Sequence, residues 1–237
     1  MIDLPPPALV LDLVAVDPDR IRGIYTIGGK LERLPARALW LHPEAAASID
    51  DEMAGWITVS DMFRSPESSL AAVRSGRGAR PPGYSAHNYG LAIDLDVGKT
   101  MRSLRTSSKI DLDRAMSTRG WLCHRIDGKI TSLKGESHHY NYLGPGYENP
   151  RGATSTAAAI EARIVRLYGA AWRTIDPRVA QAQLARLGLY HGDLDGKIGP
   201  ISCEAIRAFR RCWGLPDGAR IDAQMYRTLV YVAAGRR

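Results

Sequence analysis

Apolar positions along the chain follow two different periods. Over 91–97 they alternate, with Leu91, Ile93, Leu95 and Val97 on one face and Ala92, Asp94 and Asp96 on the other, which predicts a half-buried strand. Trp56-Ile57-Thr58-Val59 is a second β-rich run, ending at Ser60. Residues 121–126 and 129–133 predict a hairpin around Asp127-Gly128, a dipeptide suited to two-residue turns. Helical spacing predicts helices over 43–53, over 66–75 with proline in the first turn, and over 111–118, closing at Gly120. Residues 1–150 therefore read as an α+β domain with a small antiparallel sheet.

The pattern changes after the turn-forming stretch Asn149-Pro150-Arg151-Gly152-Ala153-Thr154-Ser155-Thr156. Thr156 caps a helix expected over 157–171, where Ile160, Ile164, Leu167 and Tyr168 recur on one face. Three helical groups follow, separated by Gly/Asp/Pro turns: Val179, Leu184 and Leu187; Ile206, Phe209 and Trp213; Met225, Leu229 and Val232. The expected plan is thus 1–150, a linker and connecting helix over 151–175, and an all-α three-helix module over 176–237.

Composition narrows the class. With 237 residues, 45% hydrophobic and 24% charged, there is enough apolar material for a core, which excludes disorder as the main state. No run of about 18 apolar residues exists, so no stable membrane insertion is expected. The opening MIDLPPPALVLDLVAV lacks a basic start, carries Asp3 and Asp12 and is broken by prolines, so synthesis without a standard export signal is expected. Three cysteines (Cys123, Cys203, Cys212) show no CxxC and read as free thiols. The net charge of +7 is unevenly placed: residues 1–150 hold 18 Lys+Arg and 18 Asp+Glu, whereas 151–237 hold 14 and 7. The second part is expected to be drawn to a polyanion. Nucleic acid, a phosphate-rich membrane surface and a bacterial cell wall all qualify, and charge alone does not choose.

The candidate chemistry lies in two clusters. In Ser85-Ala86-His87-Asn88-Tyr89-Gly90-Leu91-Ala92-Ile93-Asp94, His87 and Asp94 stand seven apart. On a helix that spacing is about 10 Å, too far for one ion. A loop turning back at Gly90 onto the strand brings imidazole and carboxylate onto one metal, and zinc takes both at about 2.0–2.2 Å. The plain alternative is a surface histidine beside an edge strand with Asp94 solvated. The second cluster is Gly135-Glu136-Ser137-His138-His139-Tyr140. A catalytic zinc needs three protein ligands, an open position and a nearby base, and Glu136 with His139 suits base and third ligand. Against this stands a polar strand with two solvated histidines. His138 replaces His139 as ligand if the register differs, because neighbours on a strand point to opposite faces.

Together, SxHxxGxAxD and ExxH over roughly 56–142 resemble the paired signature of zinc D-alanyl-D-alanine carboxypeptidases and L-alanyl-D-glutamate endopeptidases. That group includes VanX- and VanY-like enzymes and bacteriophage endolysins, and shares its fold with the hedgehog signalling domain. His87-Asn88-Tyr89-Gly90 looks most like the endopeptidase and endolysin branch. The resemblance implies Zn2+ held by His87, Asp94 and His139, with Glu136 as general base. The family often has Trp before the third ligand, where this chain has His138. Ser60-Asp61-Met62-Phe63-Arg64-Ser65 is similar to the family's Tyr-Arg-Ser motif, with Phe63 for Tyr. This makes Arg64 a substrate contact and transition-state stabiliser able to donate paired hydrogen bonds. The plain reading of Arg64 is a surface arginine. Ser85 is a weaker candidate for substrate binding or turn shaping, and Asp96 for support behind the ligands.

Residues 178–230, from Gln183-Leu184 through Asp193-Leu194-Asp195-Gly196 to Asp217-Gly218, are similar to the three-helix peptidoglycan-binding module of cell-wall hydrolases. Arg210 stands where Gln usually follows the Phe, and the usual Gly-Pro-x-Thr is lacking. Asp193, Asp195 and Glu204 mimic a calcium loop, but Lys197 and Ile198 occupy its fifth and sixth positions, so a turn is expected. The expectation is therefore a monomeric, endolysin-like zinc peptidase, made in a host cytoplasm and acting on bacterial peptidoglycan after release. It cleaves L-Ala-D-Glu bonds; D-Ala-D-Ala carboxypeptidase action and non-catalytic wall binding are the alternatives. Nucleic acid is not an expected partner, because no recognition motif accompanies the charge.

Overall fold

The computed structural model describes residues 4, 7–17, 21, 26–27, 30–31, 37–76, 80–126, 129–130, 137–147 and 156–235. It is α+β. The largest sheet has four antiparallel strands in the order Val59–Asp61, Ala92–Leu95, His139–Tyr142, Trp121–Cys123. Two-residue pairs accompany it, among them Val14–Ala15 with Trp40–Leu41, and Arg37–Ala38 with Phe63–Arg64. Arg125–Ile126 pairs with Lys129–Ile130 as the hairpin pattern predicts, its turn at 127–128 lying outside the described residues.

Ala92–Leu95 is buried along its whole length, not on alternate positions. It is a central strand with partners on both sides, so even its polar position, Asp94, is enclosed. The alternation stops at Leu95. Asp96 accepts from the Lys99 N–H at 3.0 Å and starts helix α4, Val97–Leu104, which the strand pattern had absorbed as far as Val97.

The helix expected over 43–53 is two: α1, Pro43–Ala47, and α2, Asp51–Trp56. Asp50 is the cause, because its carboxylate accepts from the Met53 N–H at 2.7 Å and begins a new helix. Trp56 consequently ends α2, and the strand begins only at Val59. Helices α3, Pro66–Arg74, and α5, Lys109–Ser117, fall where expected, capped by Ser65 and Ser108.

Beyond them come α6, Thr156–Tyr168, α7, Pro177–Arg186, α8, Pro200–Cys212, and α9, Ala223–Ala234. Ala180, Leu184, Ile206, Phe209, Met225 and Leu229 supply buried apolar faces of α7, α8 and α9. Arg210 is 3% exposed and turns inward, donating to the carbonyls of Pro216 and Arg220 at 2.9 Å and pairing with Asp222, the cap of α9. It thus ties the turn after α8 to the start of α9. Gln181 also points inward: its Oε1 accepts from the Gly196 N–H at 2.7 Å, and its amide donates to Asp195 at 3.1 Å. Asp195 therefore serves a turn.

By contact density the chain groups into two compact units. One comprises Asp12–Arg64 and Tyr89–Ile164; the other comprises Met1–Leu11, Ser65–Asn88 and Val165–Arg237. Among the described residues no helix is long and apolar enough to cross a membrane.

Candidate metal centre

His87 sits in a short 3-10 turn, Ala86–Tyr89, and is 1% exposed. Asn88, fully buried, holds that turn. Its Oδ1 accepts from the N–H groups of Gly83 and Ser85 at 3.0 and 3.1 Å, and its amide donates to Ser69 Oγ at 2.8 Å. Ser85 enters the turn through its backbone, its carbonyl accepting from Asn88 N–H at 2.9 Å. The chain then reverses at Gly90, φ +64°, whose carbonyl accepts from His42 N–H at 2.9 Å. A Cβ there would lie 2.5 Å from His42 N and 2.8 Å from the Leu41 carbonyl carbon, so only glycine fits.

The strand after this reversal carries Asp94, and pairing places His139 directly opposite it. Ring nitrogens of His87 and His139 and a carboxylate oxygen of Asp94 all lie within 4.8 Å of one another. His139 Nδ1 is 2.8 Å from Asp94 Oδ1. His138 presents a half-exposed ring whose Nε2 stands 3.8 Å from Asp94 Oδ2. Its carbonyl, not its ring, takes the inward role, accepting from Leu95 N–H at 2.9 Å.

Four described neighbours stand around the cluster. His139 Nε2 lies 3.0 Å from Asn141 Oδ1, and Asn141 Nδ2 lies 3.3 Å from His124 Nδ1. His139 thus turns Nε2 towards Asn141 and Nδ1 towards the Asp94 carboxylate. Arg64 is held by Asp61, donating from Nη2 at 2.7 Å and from Nε at 3.3 Å, and its Nη2 is 3.8 Å from Asp94 Oδ2. The other oxygen of Asp61 is buried and has no hydrogen-bond partner among the described residues. Among the described residues, Asp61 and Asp94 place two carboxylates beside the Arg64 guanidinium.

The donor set suits zinc. Two imidazoles and one carboxylate, those of His87 and Asp94 buried and that of His139 partly so, would supply three ligands to a zinc ion, with Asn141 standing 3.0 Å behind His139. Glu136, the expected base, lies outside the described residues, as do 131–135. Asp96 faces a different task, since its carboxylate caps α4 and pairs with Lys99 at 3.2 Å.

Asn141, His124 and Asp61 were not among the sequence candidates. Asn141 lies two residues after His139 on the same strand face, a spacing that marks it once the strand is known. His124 joins through sheet pairing, its N–H donating to the His139 carbonyl at 2.8 Å, and nothing along the chain signals it.

No protein-family model matches the chain. Among curated proteins, the putative OxPP cycle protein OpcA of Synechococcus elongatus is 43% identical over 54 residues, which is 23% of this chain and 12% of that protein. Among solved structures, the LdcB LD-carboxypeptidase, described in terms of peptidoglycan recognition, is similar over 64% of this chain and 73% of its own. The TM-score there is 0.41 at 16% identity.

Proposed function

We propose that the chain is a zinc-dependent peptidase of bacterial peptidoglycan, with a catalytic domain over 1–150, a connector over 151–175 and a wall-binding module over 176–237. The observation that carries this reading is the meeting of His87, Asp94 and His139 from a SxHxxGxAxD and a later ExxH segment. Bound zinc supplies a Lewis acid that acidifies water and polarises a peptide carbonyl. Glu136 accepts the proton of the attacking water and returns it to the leaving amine. Arg64, pre-oriented by Asp61, donates to the oxygen on which negative charge develops. His87, Asp94 and His139 hold their geometry through Asn88, the sheet register and Asn141. The preferred substrate is the L-Ala-D-Glu bond of stem peptides, in an endolysin-like protein that reaches the wall after release.

Digestion of purified peptidoglycan, with new termini identified by mass spectrometry, tests the reaction. New D-Glu amino termini are expected; free D-alanine alone assigns the chain to carboxypeptidase chemistry instead. Glu136→Ala is expected to abolish hydrolysis while one zinc per chain remains, measured by metal analysis. If wild type holds no zinc and cleaves nothing while still pelleting with the wall, the chain is a binding protein.

A further inference from the structure

We propose that Arg227 of α9 is a positioning residue for the loop that carries His87, so that the last helix of the chain is part of the metal centre's scaffold; this rests on the zinc reading above.

Arg227 lies in the middle of α9 and is 6% exposed. Its Nε donates to the Gly83 carbonyl at 2.7 Å. Its guanidinium carbon stands 4.3 Å from the centre of the Tyr84 ring and 5.0 Å from that of Trp172. A buried guanidinium is costly unless hydrogen bonds and aromatic faces replace water, and here the Gly83 carbonyl and the Tyr84 ring supply both, with Trp172 as a second ring. One turn further along α9, Tyr231 closes on the same point. A Cβ on Gly83, whose φ is +87°, would be 3.1 Å from Tyr231 Cβ. Gly83 is therefore pinned to α9 twice, through its carbonyl and through close approach of its backbone.

From Gly83 the restraint passes to the metal ligand over four residues. The Gly83 N–H donates to Asn88 Oδ1, which also receives the Ser85 N–H, and Asn88 is anchored on Ser69 of α3. His87 thus lies between an end fixed by α9 and an end fixed by α3. A metal site tolerates ligand displacements of only about 0.2 Å, so slack at residue 83 reaches the cation as lost affinity. The same contacts explain why 65–88 group with 165–237 in one compact unit.

The experiment uses the full chain and compares Arg227→Met, which keeps the apolar stem, and Arg227→Lys, which keeps charge and one donor, with wild type. Hydrogen–deuterium exchange of the 82–89 segment is read on metal-free protein. Zinc affinity is read by competition with a chromophoric chelator, and far-UV circular dichroism checks the fold. Arg227→Met is expected to raise exchange in 82–89 at least tenfold with 92–95 unchanged, and to weaken zinc binding by about 10- to 100-fold; Arg227→Lys should fall between it and wild type. If Arg227→Met does not fold, Arg227→Lys and Gly83→Ala carry the test with the same readouts. Wild-type exchange in folded variants overturns the proposal, as does a loosened loop with undiminished zinc affinity. Should wild type bind no zinc while the variants still loosen 82–89, the metal reading fails and the positioning of the loop by Arg227 stands.

Discussion

His139 Nδ1 lies 2.8 Å from Asp94 Oδ1 and its Nε2 lies 3.0 Å from Asn141 Oδ1, and the proposed zinc reading makes this residue a ligand. Asn141→Leu removes the partner of Nε2 and leaves a mostly buried ring nitrogen unmet, at a cost of about 1–3 kcal/mol. The expected result is zinc affinity reduced about 10- to 100-fold with the far-UV spectrum unchanged, measured by chelator competition. His139→Ala should lose stoichiometric zinc, whereas His138→Ala should retain it, because the half-exposed His138 ring is not one of the three converging groups. Retention of zinc by His139→Ala would reverse that assignment. Gly90→Ala attacks the reversal instead. Its Cβ would press on the backbone of Leu41 and His42, so a loss of about 1–3 kcal/mol from strain alone is expected, read as a lower urea midpoint. At this scale His87, Asp94, Gly90 and His139 were readable because each belongs to a spaced pattern along the chain. Asp61 and His124 were not, since each owes its place to a neighbouring strand.

The start of α3 was legible from the proline in its first turn, behind the cap Ser65, whereas the start of α5 lies two residues before the expected 111 because Ser108 caps it. Helix starts were misread where a cap falls inside a run that suits another element. Asp50 divides one expected helix into two, and Asp96 turns the end of a strand pattern into α4. The same carboxylates give a pH signature. The Met53 N–H holds the Asp50 carboxyl below its ordinary value of 3.8, helped by Arg119, and the Lys99 N–H does the same for Asp96. Each is more acidic folded than unfolded. Each therefore contributes stability that is complete above about pH 3.8 and is lost as pH falls through the lower folded value. Urea midpoints between pH 6 and pH 2.5 should fall steeply only below pH 4 on account of these groups. Asp50→Asn with Asp96→Asn should flatten that limb while leaving neutral stability within about 1 kcal/mol, since Asn caps nearly as well as Asp. An unchanged acid limb in the double variant would remove the caps as its cause.

For the molecule as a whole, charge is readable from composition, but its disposition is not. Of the 14 Lys+Arg in 151–237, Arg163, Arg210 and Arg227 are buried. Arg163 bonds the Leu143 carbonyl and Glu44, Arg210 holds the turn before α9, and Arg227 holds Gly83. Such single long-range contacts leave no periodic trace, which is why the grouping of 65–88 with the C-terminal helices is invisible along the sequence. If the proposed wall binding holds, the inward arginines add nothing to it, and its electrostatic part rests on exposed cations such as Arg207 and Arg211, one turn apart on α8. Interactions of that kind are screened over about 10 Å at 0.1 M salt and about 3 Å at 1 M. In a pelleting assay with purified wall, the bound fraction should fall several-fold between 0.05 and 0.5 M NaCl. Arg207→Glu with Arg211→Glu should reproduce most of that loss at low salt without shifting the thermal midpoint, because neither side chain packs inside. Arg210→Glu should instead lower the midpoint, its partners being two carbonyls and the carboxylate that caps α9. Wall binding indifferent to salt and to the double reversal would mean that shape and hydrogen bonding, not the excess of positive charge, hold this chain to its polymer.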